Sequence, residues 1–476
     1  MTESYVINTQ PAWLETTGNP AIAQNFMTAK VTTPAPKEFS DRLYFINNLG
    51  AADVRASRAV WNNPVGGALQ WNNPPRNAIL DTKGEIRWYM KADRIYDPES
   101  LYDAGIMMGF HQNADGALSW GYGQHYAKYD LLGRKVFNRR LPANYADFSH
   151  AMMPAENGGY FLRVASPDLR RADDTRVRTV RDVIIEVDAS GEVVDEWRLF
   201  EILDPNRNIV LKSIDQGAVC LNIDTSQSGK TLSAEQLAKL EAQHAFGDIA
   251  GTGAGRNWAH VNSVDHDPVD DSIILSSRHQ SAVVKIGRDK QVKWILAAPN
   301  GWRDGLKDKV LTPVGKDGRP LSCRIGKCEG GFDWTWTQHT AWKIDELSKG
   351  DIVYVSVFDN GDGRAFVQPE DQNEKYSRAV VYKIDQKAMT VEQVWEYGKE
   401  RGHELYSPIT SSVEYQADKN SVVVYWASIG TGSKTGPAPV LTEFRWGETK
   451  PAFEMHLKGG MGYRALPIDA QKAFVR

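Results

Sequence analysis

Residues Ile185 to Trp197 read IEVDASGEVVDEW: an apolar strand, a turn built on Asp188 and Gly191, and a second strand that ends in tryptophan. Alternating apolar residues on both sides of an Asp-x-x-Gly turn have the period of half-buried strands joined in a hairpin. The unit recurs at Ile79 to Trp88 (ILDTKGEIRW), Lys128 to Phe137 (KYDLLGRKVF), Val284 to Trp294 (VKIGRDKQVKW), Val381 to Trp395 (VYKIDQKAMTVEQVW) and, more weakly, Leu441 to Phe453 (LTEFRWGETKPAF). Six copies predict an all-β fold, a six-bladed β-propeller in which each terminal Trp or Phe packs between neighbouring blades. Their uneven spacing predicts long inter-strand loops. Residues 59–476 are assigned to the propeller, and residues 1–58 to an irregular lead-in packed on its outside.

Composition agrees with a packed globular chain. Of 476 residues, 41% are hydrophobic and 24% charged, which is enough apolar mass for a full core. A net charge of −4, with Lys and Arg spread along the chain, leaves no basic footprint for nucleic acid or an anionic membrane surface. No apolar run reaches the roughly 18 to 20 residues of a membrane span. Met1 to Pro20 has neither the basic nor the apolar region of a signal peptide. One inserted helix is predicted over Ser233 to Phe246, with Ser233 as N-cap, Gln236 completing a capping box, and Leu237 and Leu240 on one face.

A second half-repeat precedes four of the hairpins: His150 to Ser166, His260 to Arg278, His339 to Asn360 and Thr410 to Ser428. Three of these four open with histidine. Equivalent positions on successive blades meet around one axis, so His150, His260 and His339 are expected on one rim of the central channel. A single histidine opening a strand is ordinarily structural, bonded to a nearby loop. Three at one repeat phase predict a pocket. Three imidazoles would also suit zinc, but Arg278 falls on the same rim, and a guanidinium beside a divalent cation is electrostatically unfavourable. Histidines with an arginine describe an oxyanion pocket, with no metal or cofactor required.

Around these residues stand Phe148 to Ala151 (FSHA), Asn257 to Ser263 (NWAHVNS), Ser276 to His279 (SSRH), and a pair, Cys323 and Cys328, followed by Trp336 to Ala341 (WTQHTA). In these motifs and their order, over about Ile79 to Arg464, the chain resembles the bacterial aryl-sulfate sulfotransferases that need no nucleotide sulfate donor. The resemblance implies sulfuryl transfer from an aryl sulfate to a phenol by a ping-pong mechanism, with His339 as the nucleophile that becomes sulfohistidine. It implies that Arg278 and His260 hold and polarise the sulfate and that His150 is a further ligand; Tyr463, Asn262 and Thr340 are the substrate-binding candidates. The chemistry is coherent on its own terms. Charge builds on the phenolic oxygen as the S–O bond breaks, so positioned cationic donors lower the barrier, and a neutral imidazole is a competent nucleophile near pH 7. His260 is the expected acid and base for the phenol, with His150 as second choice.

By spacing alone, Cys323 and Cys328 form either a short disulfide or two free thiols. With the resemblance, the disulfide is expected, ordering the loop that delivers His339. That pairing predicts export to the periplasm with a signal peptide lost, whereas reduced thiols would point to the cytoplasm. Cys220 is left free. The expected partners are small-molecule aryl sulfates and phenols, with a homodimer left open and neither nucleic acid nor membrane.

Other signals are weaker. Ser166 to Arg170 (SPDLR) lacks the residue order of a formylglycine sulfatase motif, while Gly229 to Thr231 and Gly251 to Gly255 lack the context of nucleotide-binding loops. Asp265, Asp267, Asp270 and Asp271 form an acidic turn that is either solvated or a Ca²⁺ site. Hydrolysis in the same pocket stays open, and so does a non-catalytic propeller scaffold, although converging His and Arg argue against the scaffold.

Overall fold

The computed structural model describes residues 27–49, 76–90, 95, 106–166, 169–170, 174, 176–177, 182–214, 233–243, 256–367, 370–431 and 433–472. Cys220 and the glycine-containing segments 229–231 and 251–255 lie outside them.

The six hairpins read from the sequence are the third and fourth strands, counted from the axis, of six small sheets arranged as a six-bladed β-propeller. In blades three to six the inner strand pairs follow the second half-repeat. Their innermost strands are Met152–Pro154, Val261–Asp267, His339–Lys343 and Ser412–Gln416. Blade two opens with Met108–Gln112, which carries no leading histidine and so escapes the repeat. Blade one is split between the chain ends: its innermost strand is Gly462–Pro467, followed outward by Leu43–Asn48, Ala78–Asp81 and Ile86–Tyr89. Pairing of Ile46 with Ala465 and of Tyr44 with Pro467 closes the ring.

This closure corrects the expected lead-in. Its described part is not irregular, because Leu43–Asn48 belongs to blade one and Thr28–Thr33 pairs with Phe453–Lys458 as a fifth, outermost strand of blade six. The partners of both strands lie at the other end of the chain, where no local pattern announces them.

The outer hairpins form for the reasons read from their sequence. In blade three, Asp188 Oδ1 accepts the N–H groups of Ser190 (2.8 Å) and Gly191 (2.9 Å), and Gly191 takes a φ of 97° that a residue with a Cβ resists. The terminal tryptophans then stitch each blade to the next one's turn. Nε1 donates from Trp88 to the Leu131 carbonyl (2.9 Å), from Trp197 to the Gly287 carbonyl (3.1 Å), from Trp294 to Gln386 Oε1 (3.0 Å) and from Trp395 to the Glu448 carbonyl (2.9 Å).

The predicted helix is present as Ala234–Ala242, and residues 244–246 of the expected span lie outside the described residues. Its capping box is in place, with Ser233 Oγ accepting from the Gln236 N–H (3.2 Å) and Gln236 Oε1 from the Ser233 N–H (2.8 Å). Leu237 and Leu240 pack on the apolar cluster between blades three and four. Each of the six apolar clusters lies between two adjacent blades. Apolar burial is thus met around the ring, and the axis is left to polar groups.

Candidate active site

Residues at or just before the starts of the six innermost strands share one mouth of the channel. A cavity of about 50 Å³ there is walled by His150, His260, Arg278, His339, Thr410 and Tyr463, and by apolar Leu49, Ile106, Met108, Ile409 and Met461. The histidines and Arg278 come from blades three to five, and most apolar residues from blades one and two. The cavity therefore has a polar and an apolar side.

The three predicted histidines converge. Ring centroids are 5.0 Å apart for His150 and His260, and Tyr463 sits 5.7 Å from His150 and 6.4 Å from His339. The backbone turns sharply to present them, with positive φ at His150 (71°), His260 (46°), Thr340 (55°) and Thr410 (56°). Each such residue costs of order 1 kcal/mol or more, and clusters of them persist where the surrounding structure over-determines a functional rim.

Every imidazole at the rim is held at Nδ1. His339 Nδ1 lies 2.7 Å from Asn360 Oδ1, and the Thr410 N–H donates to His339 Nε2 (3.2 Å). Asn257 Nδ2 is 2.9 Å from His260 Nδ1, and the ring of His279 lies 4.5 Å from that of His260. Ser149 Oγ is 2.5 Å from His150 Nδ1 and is itself bonded by the Arg163 guanidinium. Burial, and next the positive charge of Arg278, hold His339 well below the ordinary histidine range, so it is a neutral imidazole at pH 7.

Arg278 is fully buried. Its guanidinium bonds the carbonyls of Thr337 and Pro408 (3.0 Å to Pro408) and lies 3.5 Å from Asp362. Asp362 also pairs with Lys375 (3.0 Å) and accepts from the Tyr406 hydroxyl. A buried arginine is thereby charge-balanced and aimed by three fixed oxygens.

Other sequence candidates fall differently. Tyr463 reaches the axis from blade one, whose innermost strand comes from the C-terminal end of the chain. Asn262 and Thr340 are buried but do not wall the cavity; Asn262 Nδ2 is tied to the Gln338 carbonyl (2.7 Å), bridging blades four and five. Cys323 and Cys328 are joined by a disulfide whose turn residue, Gly326, packs against Trp336, three residues before His339. The acidic turn is taken up by cations: Asp267 pairs with Lys285 and Lys343, Asp270 with Lys293, and Asp271 with Arg288. Sequence reasoning missed Asn360, Asp362 and His279. Asn360 closes the His339 half-repeat and His279 closes the SSRH motif, so a signal existed for both, while Asp362 had none.

The family model described as Arylsulfotransferase (ASST) matches residues 28–464. The chain belongs to the arylsulfotransferase family. It is similar to the arylsulfate sulfotransferase AssT of Escherichia coli O6:H1, with 45% identity over 445 residues that cover 90% of this chain and 72% of that one. Against the arylsulfate sulfotransferase AssT of Lelliottia amnigena the identity is 43% over 445 residues, with the same coverage. This arylsulfotransferase is accordingly a sulfotransferase enzyme. Among its described residues, no helix is long and apolar enough to cross a membrane.

Proposed function

We propose that the enzyme moves a sulfuryl group from an aryl sulfate to a phenol in two steps, through a covalent intermediate on His339. The observation that carries this reading is a neutral, Nδ1-anchored imidazole whose other nitrogen shares one cavity with Arg278, His260, His150 and Tyr463.

In the first step the lone pair of His339 Nε2 leaves its hydrogen bond with the Thr410 N–H and forms a bond to sulfur, and the S–O bond to the aryl group breaks. The electron pair goes to the phenolic oxygen, which takes a proton from His260. In the second step His260 takes the proton of the incoming phenol, whose oxygen attacks sulfur and restores the neutral His339. Arg278 supplies charge-assisted donors for the sulfuryl oxygens throughout, and Tyr463, His150 and the apolar side of the cavity receive the ring. The disulfide supports an oxidising compartment, the periplasm, as the place of action.

The test is steady-state kinetics with p-nitrophenyl sulfate and a phenol as varied substrates. Parallel double-reciprocal lines, with sulfate release in phenol's absence far slower than transfer, support the reading. Intersecting lines would overturn the two-step scheme, and sulfate release as fast as transfer would make the protein a hydrolase.

A further inference from the structure

We propose that Asn360 is a positioning residue that locks His339 in the tautomer with its proton on Nδ1, and so leaves Nε2 as the unprotonated nitrogen that attacks sulfur once it parts from the Thr410 N–H. This inference rests on His339 being the nucleophile and goes beyond it to what makes that nitrogen nucleophilic.

The orientation of the Asn360 amide is settled without reference to His339. Its Nδ2 reaches two backbone carbonyls, those of Ser407 (2.7 Å) and Thr410 (3.1 Å). Carbonyl oxygens only accept, so the amide nitrogen must face them and the amide oxygen must face His339 Nδ1, 2.7 Å away. An amide oxygen also only accepts, so the proton of the neutral ring stands on Nδ1. Nε2 then carries the lone pair, and the Thr410 N–H directed at Nε2 (3.2 Å) is a donor that only this tautomer can receive. Asn360 is fully buried, with its Nδ2 anchored on two carbonyls of the chain leading to blade six, so it cannot turn over without losing both bonds.

The choice of amide over carboxylate also matters for the second step. Once Nε2 carries the sulfuryl group, the ring is an imidazolium with its remaining proton on Nδ1. A neutral acceptor leaves that positive charge on the ring, where it makes the ring a good leaving group. A carboxylate would draw the proton away and lengthen the life of the intermediate.

Protein labelled with ¹⁵N-histidine, with the His339 signals assigned by their loss in His339→Asn, should show Nδ1 protonated and Nε2 bare in the resting enzyme. In Asn360→Leu the ring should populate both tautomers, and the p-nitrophenolate burst should slow by about 100-fold while KM changes little. Asn360→Asp keeps an acceptor facing Nδ1 when its other oxygen carries a proton toward the Ser407 and Thr410 carbonyls, so below the pH at which that proton is lost it should retain the Nδ1–H tautomer and recover most of the burst rate. A resting Nε2–H tautomer, an undiminished burst in Asn360→Leu, or an Asp variant no better than the Leu variant would each overturn the proposal. If Asn360→Leu fails to fold, the resting tautomer and the Asp variant still decide. A wild-type enzyme that gives no burst and no label on His339 would instead overturn the two-step reading itself.

Discussion

Arg278→Lys keeps a positive charge at the rim and removes its fork. The guanidinium is fully buried, bonds the Thr337 and Pro408 carbonyls and lies 3.5 Å from Asp362. An ammonium has its three donors on one atom. It cannot serve both carbonyls, face Asp362 and reach a sulfuryl oxygen together, so at least one bond to the sulfuryl group is lost. A charge-assisted bond is worth about 1.5–3 kcal/mol, so kcat/KM for p-nitrophenyl sulfate should fall roughly 10- to 150-fold. Asp362 still holds the lysine charge nearby, so the loss should be smaller than that of His339→Asn. Initial rates of p-nitrophenolate release at saturating phenol measure the effect, with a thermal melt to show that the variant is folded. A folded Arg278→Lys enzyme within about threefold of wild-type kcat/KM would refute the proposed role of the fork.

Replacing Cys323 and Cys328 by Ser opens a short loop and should lower stability by about 2 kcal/mol by chain entropy, and transfer should fall too because that loop packs on Trp336; free thiols at both positions in natively produced protein would contradict an oxidising compartment. Trp395→Phe removes the bond from Nε1 to the Glu448 carbonyl between blades five and six, so the denaturant midpoint should fall by the equivalent of about 1 kcal/mol with an unchanged slope. Burial raises the carboxyls of Asp265 and Glu414, in the channel beyond the active-site mouth, to about 7. A raised folded-state pKa means the proton is held more tightly in the native state, so this contribution is fully present below the ordinary carboxyl range and is lost as pH rises through 7. Glu414→Gln should therefore melt higher than wild type at pH 8 and show little difference near pH 4; equal melting at both pH values would contradict the shift.

The outer hairpins were legible because their signal is local: an Asp and a Gly make the turn in blades one to three, a residue at positive φ does so in the others (Lys290, Met389 and Gly447), and a Trp or Phe ends the second strand. The three converging histidines were legible because they repeat in phase. Two inner strand pairs were not. Leu43–Asn48 finds its inner partner in Gly462–Pro467 across the whole chain, and Met108–Gln112 begins with an apolar residue where its neighbours have histidine. The roles of Asn360 and Asp362 depend on which atoms meet across loops, and the left-handed backbone at His150 and His260 depends on the closed ring that enforces it. Neither leaves a periodic mark.

The most direct test of the central claim is to mix the enzyme with p-nitrophenyl sulfate without phenol, quench in base, digest, and weigh the peptides. The account predicts one added mass of about 80 Da per chain, on the peptide containing His339, removed when phenol is added and absent from His339→Asn. A label on His150 or His260, or transfer at near-normal rate by His339→Asn, would contradict it.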